Sequence, residues 1–276
     1  MSDAPDVDRE LLAEQHNGVL TLTINRAESS NAIPYYVRDR LIEHFQAAHS
    51  DLAVRAIVLT GAGERHFCTG ADLRVRPPAA PKPEGAPDMV VGTAVTMMRT
   101  GFQRLMESIQ DCQKPVLASL NGTAAGGGAM LALAADLVIA ADTARIVDVF
   151  TSRGLIPDGG FTYLLPRIVG MHKAKELIFF GDQLSAADAA ALGIVNKVVP
   201  AAGLAAETDA WATRLAAKPT KVVGWAKKLL QDALELPRTT VLESEAMFVE
   251  LNLGTEDGKE RMAAMLEKRD PQWRGW

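Results

Sequence analysis

The feature that most constrains the fold is a change of pattern at Pro200. Before it, short apolar stretches typical of β-strands alternate with amphipathic helical stretches, and this order predicts a layered α/β domain. After it only helical stretches follow, and they cover 203–217, 220–234, 238–252 and 255–269. The sequence therefore predicts an α/β core over residues 1–200 and a helical region over residues 201–276. The apolar stripes of that region need cover from the core or from a neighbouring subunit.

Several elements before Pro200 can be placed from their patterns. The sequence "VLTLTIN" alternates apolar and polar residues after an Asn-Gly turn, which predicts a hairpin. A helix is expected after Pro34, and "RAIVLTG" reads as a short buried strand. Residues 74–88 are rich in Pro and Ala and predict a surface flap without regular structure. A helix is expected from about Met89 to Gln113, with one apolar side formed by Val91, Val95, Phe102, Leu105 and Ile109.

Charge and cysteine content exclude several classes of partner and compartment. The 276 residues carry a net charge of −5 and no basic stripe, which argues against nucleic-acid binding. Cys68 and Cys112 are too few for a disulfide framework and are typical of a reducing compartment. The acidic N-terminal sequence lacks the apolar run of a signal peptide, and Asp136 interrupts the longest apolar stretch. We therefore expect a cytoplasmic protein that does not cross a membrane.

Two glycine-bearing loops are candidates for a catalytic site. "HFCTGADL" follows a predicted buried strand, and "NGTAAGGGA" leads into a predicted helix. Glycine lets backbone approach a ligand closely, and a helix start leaves N–H groups without partners, so one N–H from each loop could form an oxyanion hole. Tight packing of the helix against a strand explains the glycines equally well, and both interpretations stay open. Neither loop has the spacing of a nucleotide-binding motif.

Several motifs together resemble the crotonase (enoyl-CoA hydratase/isomerase) superfamily. They are "TINRAESSNAI", "HFCTGADL", "NGTAAGGGAMLALAADLVIAAD", "GLIPDGGFTYLLPRIVG" and "LSAADAAALGIVNKVVP". The resemblance implies an α/β fold, a crotonase (ClpP-like) spiral of ββα units with a helical C-terminal trimerisation region. It also implies a homotrimer or a dimer of trimers. The implied substrate is an acyl-coenzyme A thioester, with no metal and no further cofactor.

The resemblance also implies roles for residues of the two loops. The backbone N–H groups of Ala71 and Gly127 would hold the thioester oxygen and stabilise an enolate. The residues implied along the coenzyme A path are Arg26, Ala32, Gly70, Ala71 and Leu73. Lys268 of a neighbouring subunit would meet a coenzyme A phosphate, and a solvated cation at a helix end is the alternative.

The sequence departs from the hydratases that it resembles at two positions. Those enzymes have glutamates where this chain has Met130 and Phe150. Hydration of a double bond needs two polar groups to place water and relay its protons, which Met and Phe cannot do. We expect Met130, Phe150 and Phe161 to line an apolar acyl pocket instead. Asp148 lies about 7 Å from Phe150 along a strand and is interpreted as structural.

Asp158 is the leading candidate for an acid–base group. It coincides with an aspartate found in several branches of the superfamily, including dienoyl-CoA isomerases and the ring-epoxide isomerases of phenylacetate breakdown. One carboxylate is enough for a 1,3-proton shift, and apolar neighbours should raise the pKa of that carboxyl by desolvation. The alternative is a helix N-cap, since a helical stretch follows directly.

Two functions from different classes follow. The first is an enoyl-CoA isomerase-type enzyme with Asp158, Ala71 and Gly127 as its catalytic groups. The second is a non-catalytic acyl-CoA binder or carrier, motivated by the loss of both glutamates. A true hydratase or a hydrolase fits less well, because both rely on a glutamate at the Phe150 position. His66 and Cys68 flank the first loop, and a cysteine without a paired base is more typical of packing than of a nucleophile.

Overall fold

The computed structural model describes residues 6–78 and 81–276, and these contain two β-sheets surrounded by helices. The strands are β1 (Leu11–His16), β2 (Val19–Ile24), β3 (Ala56–Gly61), β4 (His66–Cys68), β5 (Val116–Leu120), β6 (Thr123–Ala125), β7 (Leu137–Ala141), β8 (Arg145–Val147), β9 (Gln183–Ser185) and β10 (Lys197–Val199). The helices are α1 (Val7–Glu10), α2 (Tyr35–Ser50), α3 (Thr93–Thr100), α4 (Phe102–Gln110), α5 (Gly127–Ala134), α6 (Phe161–Val169), α7 (Met171–Phe180), α8 (Ala186–Ala191), α9 (Leu204–Ala216), α10 (Thr220–Asp232), α11 (Arg238–Leu253) and α12 (Glu256–Glu267).

The chain winds as a spiral between the two sheets. One sheet has the order β1-β2-β3-β5-β7-β10, and the other has the order β4-β6-β8-β9. Strands β3 to β8 enter the sheets alternately, and a helix or a helix pair follows each of β4, β6 and β8. The strands from β2 to β10 in the larger sheet run parallel, as do β4, β6 and β8 in the smaller one. Each turn of the spiral is thus a ββα unit, as predicted.

The hairpin at the start of the larger sheet follows from its turn sequence. Asn17 and Gly18 have φ angles of 48° and 81°, the left-handed pair that a two-residue hairpin turn requires. Strands β1 and β2 pair antiparallel across it, with His16 opposite Val19. In β2 the alternation buries Leu20, Leu22 and Ile24, as the pattern predicts.

The helix predicted from Met89 to Gln113 is wrong in its extent. The chain forms two helices there, α3 and α4, which are separated at Gly101. The backbone leaves the helical region at Gly101, where ψ is −115°, and a Cβ there would lie 2.5 Å from the carbonyl oxygen of Met97. Val91 and Val95 are exposed, whereas Leu105 and Ile109 are fully buried. The continuous apolar stripe therefore exists only in α4.

The C-terminal helices lie close to their predicted bounds. Helix α9 packs on the larger sheet, where the hydroxyl groups of Thr208 and Ser119 are 2.8 Å apart. The predicted flap, 74–88, has no helix or strand in its described part, and Ala79 and Ala80 lie outside the described residues. Over residues 6–78 and 81–276, no helix is long and apolar enough to cross a bilayer.

Candidate active site

The two glycine-bearing loops meet at one edge of the smaller sheet. Strands β4 and β6 pair in parallel, so both loops leave the sheet from the same end. A Cβ built on Gly70 would lie 2.9 Å from the backbone nitrogen of Gly127, and one on Gly128 would lie 1.9 Å from the carbonyl oxygen of Cys68. The packing interpretation of the glycine run is therefore correct for these residues, and the same packing brings the two loop backbones together.

Ala71 and Gly127 present free N–H groups at this junction. Ile33 forms an isolated parallel β-bridge with Ala71 of the first loop. The N–H of Ile33 donates to the Gly70 carbonyl at 2.7 Å, and the carbonyl of Ile33 accepts from the Asp72 N–H at 2.9 Å. The N–H of Ala71 consequently faces away from Ile33. Gly127 is the first residue of α5, where an N–H has no intrahelical acceptor. Neither N–H finds an acceptor among residues 6–78 and 81–276, and both residues are at least partly exposed.

Asp158 does not cap the helix that follows it, so the capping alternative is wrong. Helix α6 begins at Phe161 after Gly160, and no side chain caps it. The Phe161 N–H donates to the backbone carbonyl of Asp158 at 3.0 Å, which leaves the carboxylate unused. That carboxylate is half-buried and accepts no hydrogen bond within the described part of the chain. Desolvation raises the pKa of the Asp158 carboxyl.

Phe102 links the Asp158 turn to the glycine junction, a role that the sequence did not reveal. A Cβ built on Gly127 would lie 2.6 Å from Cε1 of Phe102, and one on Gly159 would lie 3.5 Å from both Cβ of Phe102 and Cγ of Met130. The aromatic side chain thus spans from the start of α5 to the residue beside Asp158. The sequence signal that could have indicated it is an aromatic residue directly after Gly101, where the helix is interrupted.

The residues expected in the acyl pocket form an apolar cluster beneath the turn. Met130, Phe150 and Phe161 are 0%, 6% and 2% exposed. The rings of Phe150 and Phe161 lie 5.7 Å apart at 60°. Met130 also contacts the Asp158 turn through Gly159, so the base candidate has an apolar neighbour on that side.

Three other residues considered from the sequence, Asp148, Cys68 and His66, have structural roles or surroundings. One carboxylate oxygen of the buried Asp148 accepts the Phe150 N–H at 2.8 Å, and the other is buried without a partner among the residues described. Desolvation raises the pKa of this carboxyl, partly offset by the Phe150 N–H. Cys68 is fully buried, and burial raises the pKa of its thiol to about 12, which is typical of a structural cysteine rather than of a nucleophile. His66 contributes its backbone carbonyl, which accepts from the Asn31 side chain at 2.7 Å.

The residues implied along the coenzyme A path have different surroundings. The Arg26 side chain is 11% exposed and pairs with Glu10 at 2.7 Å and with Asp72 at 2.9 Å. It also donates to the carbonyl of Ala32. Leu73 is 79% exposed. Lys268 lies in a left-handed conformation, with φ of 55°, where α12 ends. Their contacts with coenzyme A stay predictions.

Comparison with known proteins identifies the family to which this site belongs. The family model "Enoyl-CoA hydratase/isomerase" matches residues 14–275. The chain belongs to the enoyl-CoA hydratase/isomerase family. The crotonase-superfamily resemblance and the fold prediction are thereby confirmed, and membership supports an enzyme that acts on acyl-CoA.

Individual family members carry both hydratase and isomerase names. The chain is 37% identical to the 1,2-epoxyphenylacetyl-CoA isomerase of Escherichia coli (strain K12), over 96% of this chain and 98% of that protein. It is 35% identical to the mitochondrial enoyl-CoA hydratase domain-containing protein 2 of Mus musculus, over 98% of this chain and 89% of that protein. The crystal structure of an enoyl-CoA hydratase from Bacillus anthracis superimposes with a TM-score of 0.86 at 30% identity, covering 97% of this chain and all of that one.

Proposed function

We propose that this family member catalyses an isomerase-type 1,3-proton shift in an enoyl-CoA thioester, with Asp158 as the sole acid–base group. The observation that carries the proposal is the state of the Asp158 carboxylate, which is half-buried, free of hydrogen bonds in the described structure and not used as a helix cap. A carboxylate desolvated in this way is a stronger base than one in water.

The proposed reaction balances with one carboxylate. Asp158 takes a proton from the α carbon of a β,γ-enoyl thioester, and the electron pair of the broken C–H bond delocalises onto the thioester oxygen as a dienolate. The N–H groups of Ala71 and Gly127 stabilise that oxygen anion. Asp158 then returns the proton to the γ carbon, which leaves the conjugated α,β-enoyl isomer. No water is consumed.

Apolar side chains at the two glutamate positions support isomerisation over hydration. Met130 and Phe150 are buried and offer no group that could orient or deprotonate water. Phe102 beside Gly127 adds a further apolar surface near the proposed anion. Exclusion of water from that space protects a dienolate from trapping by solvent protons.

The test is deuterium incorporation from heavy water into the α and γ carbons of a β,γ-enoyl-CoA. We expect exchange and isomerisation with the wild type, and a loss of about 100-fold or more in Asp158→Asn, the scale of a general acid–base contribution. Asp148→Asn is the matched control, because Asn keeps an acceptor for the Phe150 N–H. Exchange that persists in Asp158→Asn, or is lost only in Asp148→Asn, excludes Asp158 as the shuttle.

A non-catalytic acyl-CoA binder is the second candidate, favoured by the buried Met130 and Phe150 in place of both glutamates. Tight binding of acyl-CoA without exchange or turnover of any enoyl-CoA supports this candidate. Detectable hydration of an α,β-enoyl-CoA at rates typical of enzymes contradicts both.

The assembly proposed for the chain is a homotrimer or a dimer of trimers in the cytoplasm. Large apolar side chains are exposed on α11 and α12, namely Leu242, Met247, Val249, Leu251, Leu253, Met262, Met265 and Leu266. A surface of this kind is typical of a subunit interface. Light scattering coupled to size exclusion should give three or six times the mass of one chain, and a monomer at micromolar concentration contradicts the assembly.

A further inference from the structure

We infer that Arg26 and Asp72 are positioning residues, which fix the direction of the Ala71 N–H rather than contact coenzyme A. The inference rests on the proposed function, because it assigns the support of one of the two proposed donors. Its basis is a chain of partly buried ion pairs that begins at Glu10, the last residue of α1, and ends at Asp72, the residue after Ala71.

Asp72 is the first part of this support. Its side chain is 2% exposed, and its backbone N–H donates to the Ile33 carbonyl at 2.9 Å. The carboxylate accepts from Arg74 at 2.9 Å and from Arg26 at 2.9 Å. The Arg74 guanidinium, assisted by that of Arg26, lowers the pKa of the Asp72 carboxyl to about 2. Asp72 is therefore ionised at any working pH and holds the backbone directly after Ala71.

Arg26 forms hydrogen bonds to both segments of the β-bridge between Ile33 and Ala71. The same terminal nitrogen donates to the Asp72 carboxylate and to the Ala32 carbonyl, so one guanidinium contacts the residue after Ala71 and the residue before Ile33. Because Ile33 and Ala71 pair directly, a shift of either segment rotates the peptide that carries the Ala71 N–H. A planar guanidinium can satisfy several acceptors at fixed angles, which a lysine ammonium cannot do in the same way.

Glu10 fixes Arg26 from the other side. Its carboxylate pairs with Nε of Arg26 at 2.7 Å and accepts from the Tyr36 hydroxyl at 2.9 Å. Burial, together with the hydrogen bond to Glu10, raises the pKa of Tyr36 to about 12, so the hydroxyl stays protonated and donates. Glu10, Arg26 and Asp72 therefore form one support that links the start of the chain to the first glycine loop.

The experiment separates binding of the thioester from polarisation of its carbonyl. Infrared difference spectra of a thioester of coenzyme A labelled with carbon-13 at the carbonyl report the hydrogen bonds to that oxygen, and titration gives the dissociation constant. In the wild type we expect a shift of the carbonyl stretch to lower wavenumber. In Arg26→Lys and Asp72→Asn we expect a smaller shift, and kcat about 100-fold lower with KM little changed, as for a donor misplaced by about 1 Å.

Two further variants complete the design. Glu10→Gln keeps an acceptor but loses the charge, so it should reduce the shift less than Arg26→Lys and guards against failure of the other variants to fold. Arg40→Lys is the matched control, because Arg40 pairs with Glu43 at 3.0 Å on α2 and has no part in this support. It should behave as the wild type.

The alternative outcomes are distinct. A full carbonyl shift and unchanged kcat in Arg26→Lys and Asp72→Asn overturn the inference and leave the proposed function intact. A raised dissociation constant in Arg26→Lys, with the carbonyl shift unchanged, overturns it in favour of direct contact with coenzyme A. Absence of any shift in the wild type contradicts the oxyanion hole itself, and this inference with it.

Discussion

The surroundings of the Asp158 side chain are those expected of a general base. Its carboxylate is half-buried and desolvated, and among residues 6–78 and 81–276 no side chain caps the start of the helix that follows. A group kept in this state lowers the stability of the fold, because burial disfavours its charged form and no partner among residues 6–78 and 81–276 compensates. Ionisable groups whose pKa is shifted by desolvation cluster at functional sites.

Asp158→Asn should therefore stabilise the protein at pH 7. Because the folded pKa of Asp158 is raised, the charged form costs the folded state more than the unfolded state. The cost is present above the folded pKa and disappears as pH falls below the ordinary carboxyl pKa of about 3.9. Thermal unfolding of wild type and variant from pH 7 to pH 4 should show a higher Tm for the variant, with a gap that narrows on acidification.

The exposed Asp182 provides the control for this measurement, and Asp182→Asn should leave the Tm unchanged. A lower Tm for Asp158→Asn at pH 7 would mean that the carboxylate is bonded after all. A Tm difference between wild type and Asp158→Asn that does not depend on pH would exclude desolvation of the carboxylate as its cause.

The elements around the site are held by close backbone contacts. Helix α5 is buried along nearly its whole length and starts against the first glycine loop. Helix α4 carries Phe102 and Met106, and Cε of Met106 lies 2.7 Å from a Cβ built on Gly160. Gly127, one of the two proposed oxyanion donors, and the Asp158 turn are therefore positioned by packing between several elements.

Gly128→Ala should test this packing directly. The added methyl group would lie 1.9 Å from the Cys68 carbonyl oxygen, so strand β4 or helix α5 must move. We expect a loss of about 2 kcal/mol or more in the free energy of unfolding, from urea denaturation. Gly203→Ala is the matched control, because nothing lies within 4 Å of its Cβ and φ is −94°. An equal loss in both variants would show that the contact at Gly128 has no special cost.

At the scale of the whole molecule, a partly buried ion pair helps to join the C-terminal helices to the core. Nζ of Lys227, on α10, donates to the Asp136 carboxylate at 2.9 Å and to the Ile109 carbonyl at 2.8 Å. The side chains of Lys227 and Asp136 are 8% and 21% exposed. This pair anchors the C-terminal helices to the end of α4, the helix that carries Phe102.

Lys227→Met should destabilise the fold by about 3 kcal/mol, since it leaves the Asp136 carboxylate buried without its cation. The double variant Lys227→Met with Asp136→Asn should lose less than the sum of the two single variants. Chemical denaturation of all four proteins gives the coupling energy. A coupling energy near zero would mean that the Lys227–Asp136 pair does not contribute to holding the C-terminal helices on the core.

The sequence by itself determined the order of the elements, the change at Pro200, the family motifs and the apolar residues at positions 130 and 150. These depend on patterns within a few residues, such as the Asn17-Gly18 turn or the period of a helix. Even here the break between α3 and α4 at Gly101 was not predicted, because a single glycine is tolerated inside a helical pattern.

Only the tertiary structure decided which side chains have partners. Asp158 has the sequence of a helix cap but its carboxylate is unused, and Arg26 is engaged by Asp72, which is 46 positions away. Phe102, Gly127 and Gly159 belong to three separate stretches of the chain, and Phe102 lies next to both glycines. Such contacts join residues that no local pattern relates. The pKa of a carboxyl, the direction of an N–H and the shape of a site depend on these contacts. These properties are therefore set only by the tertiary structure.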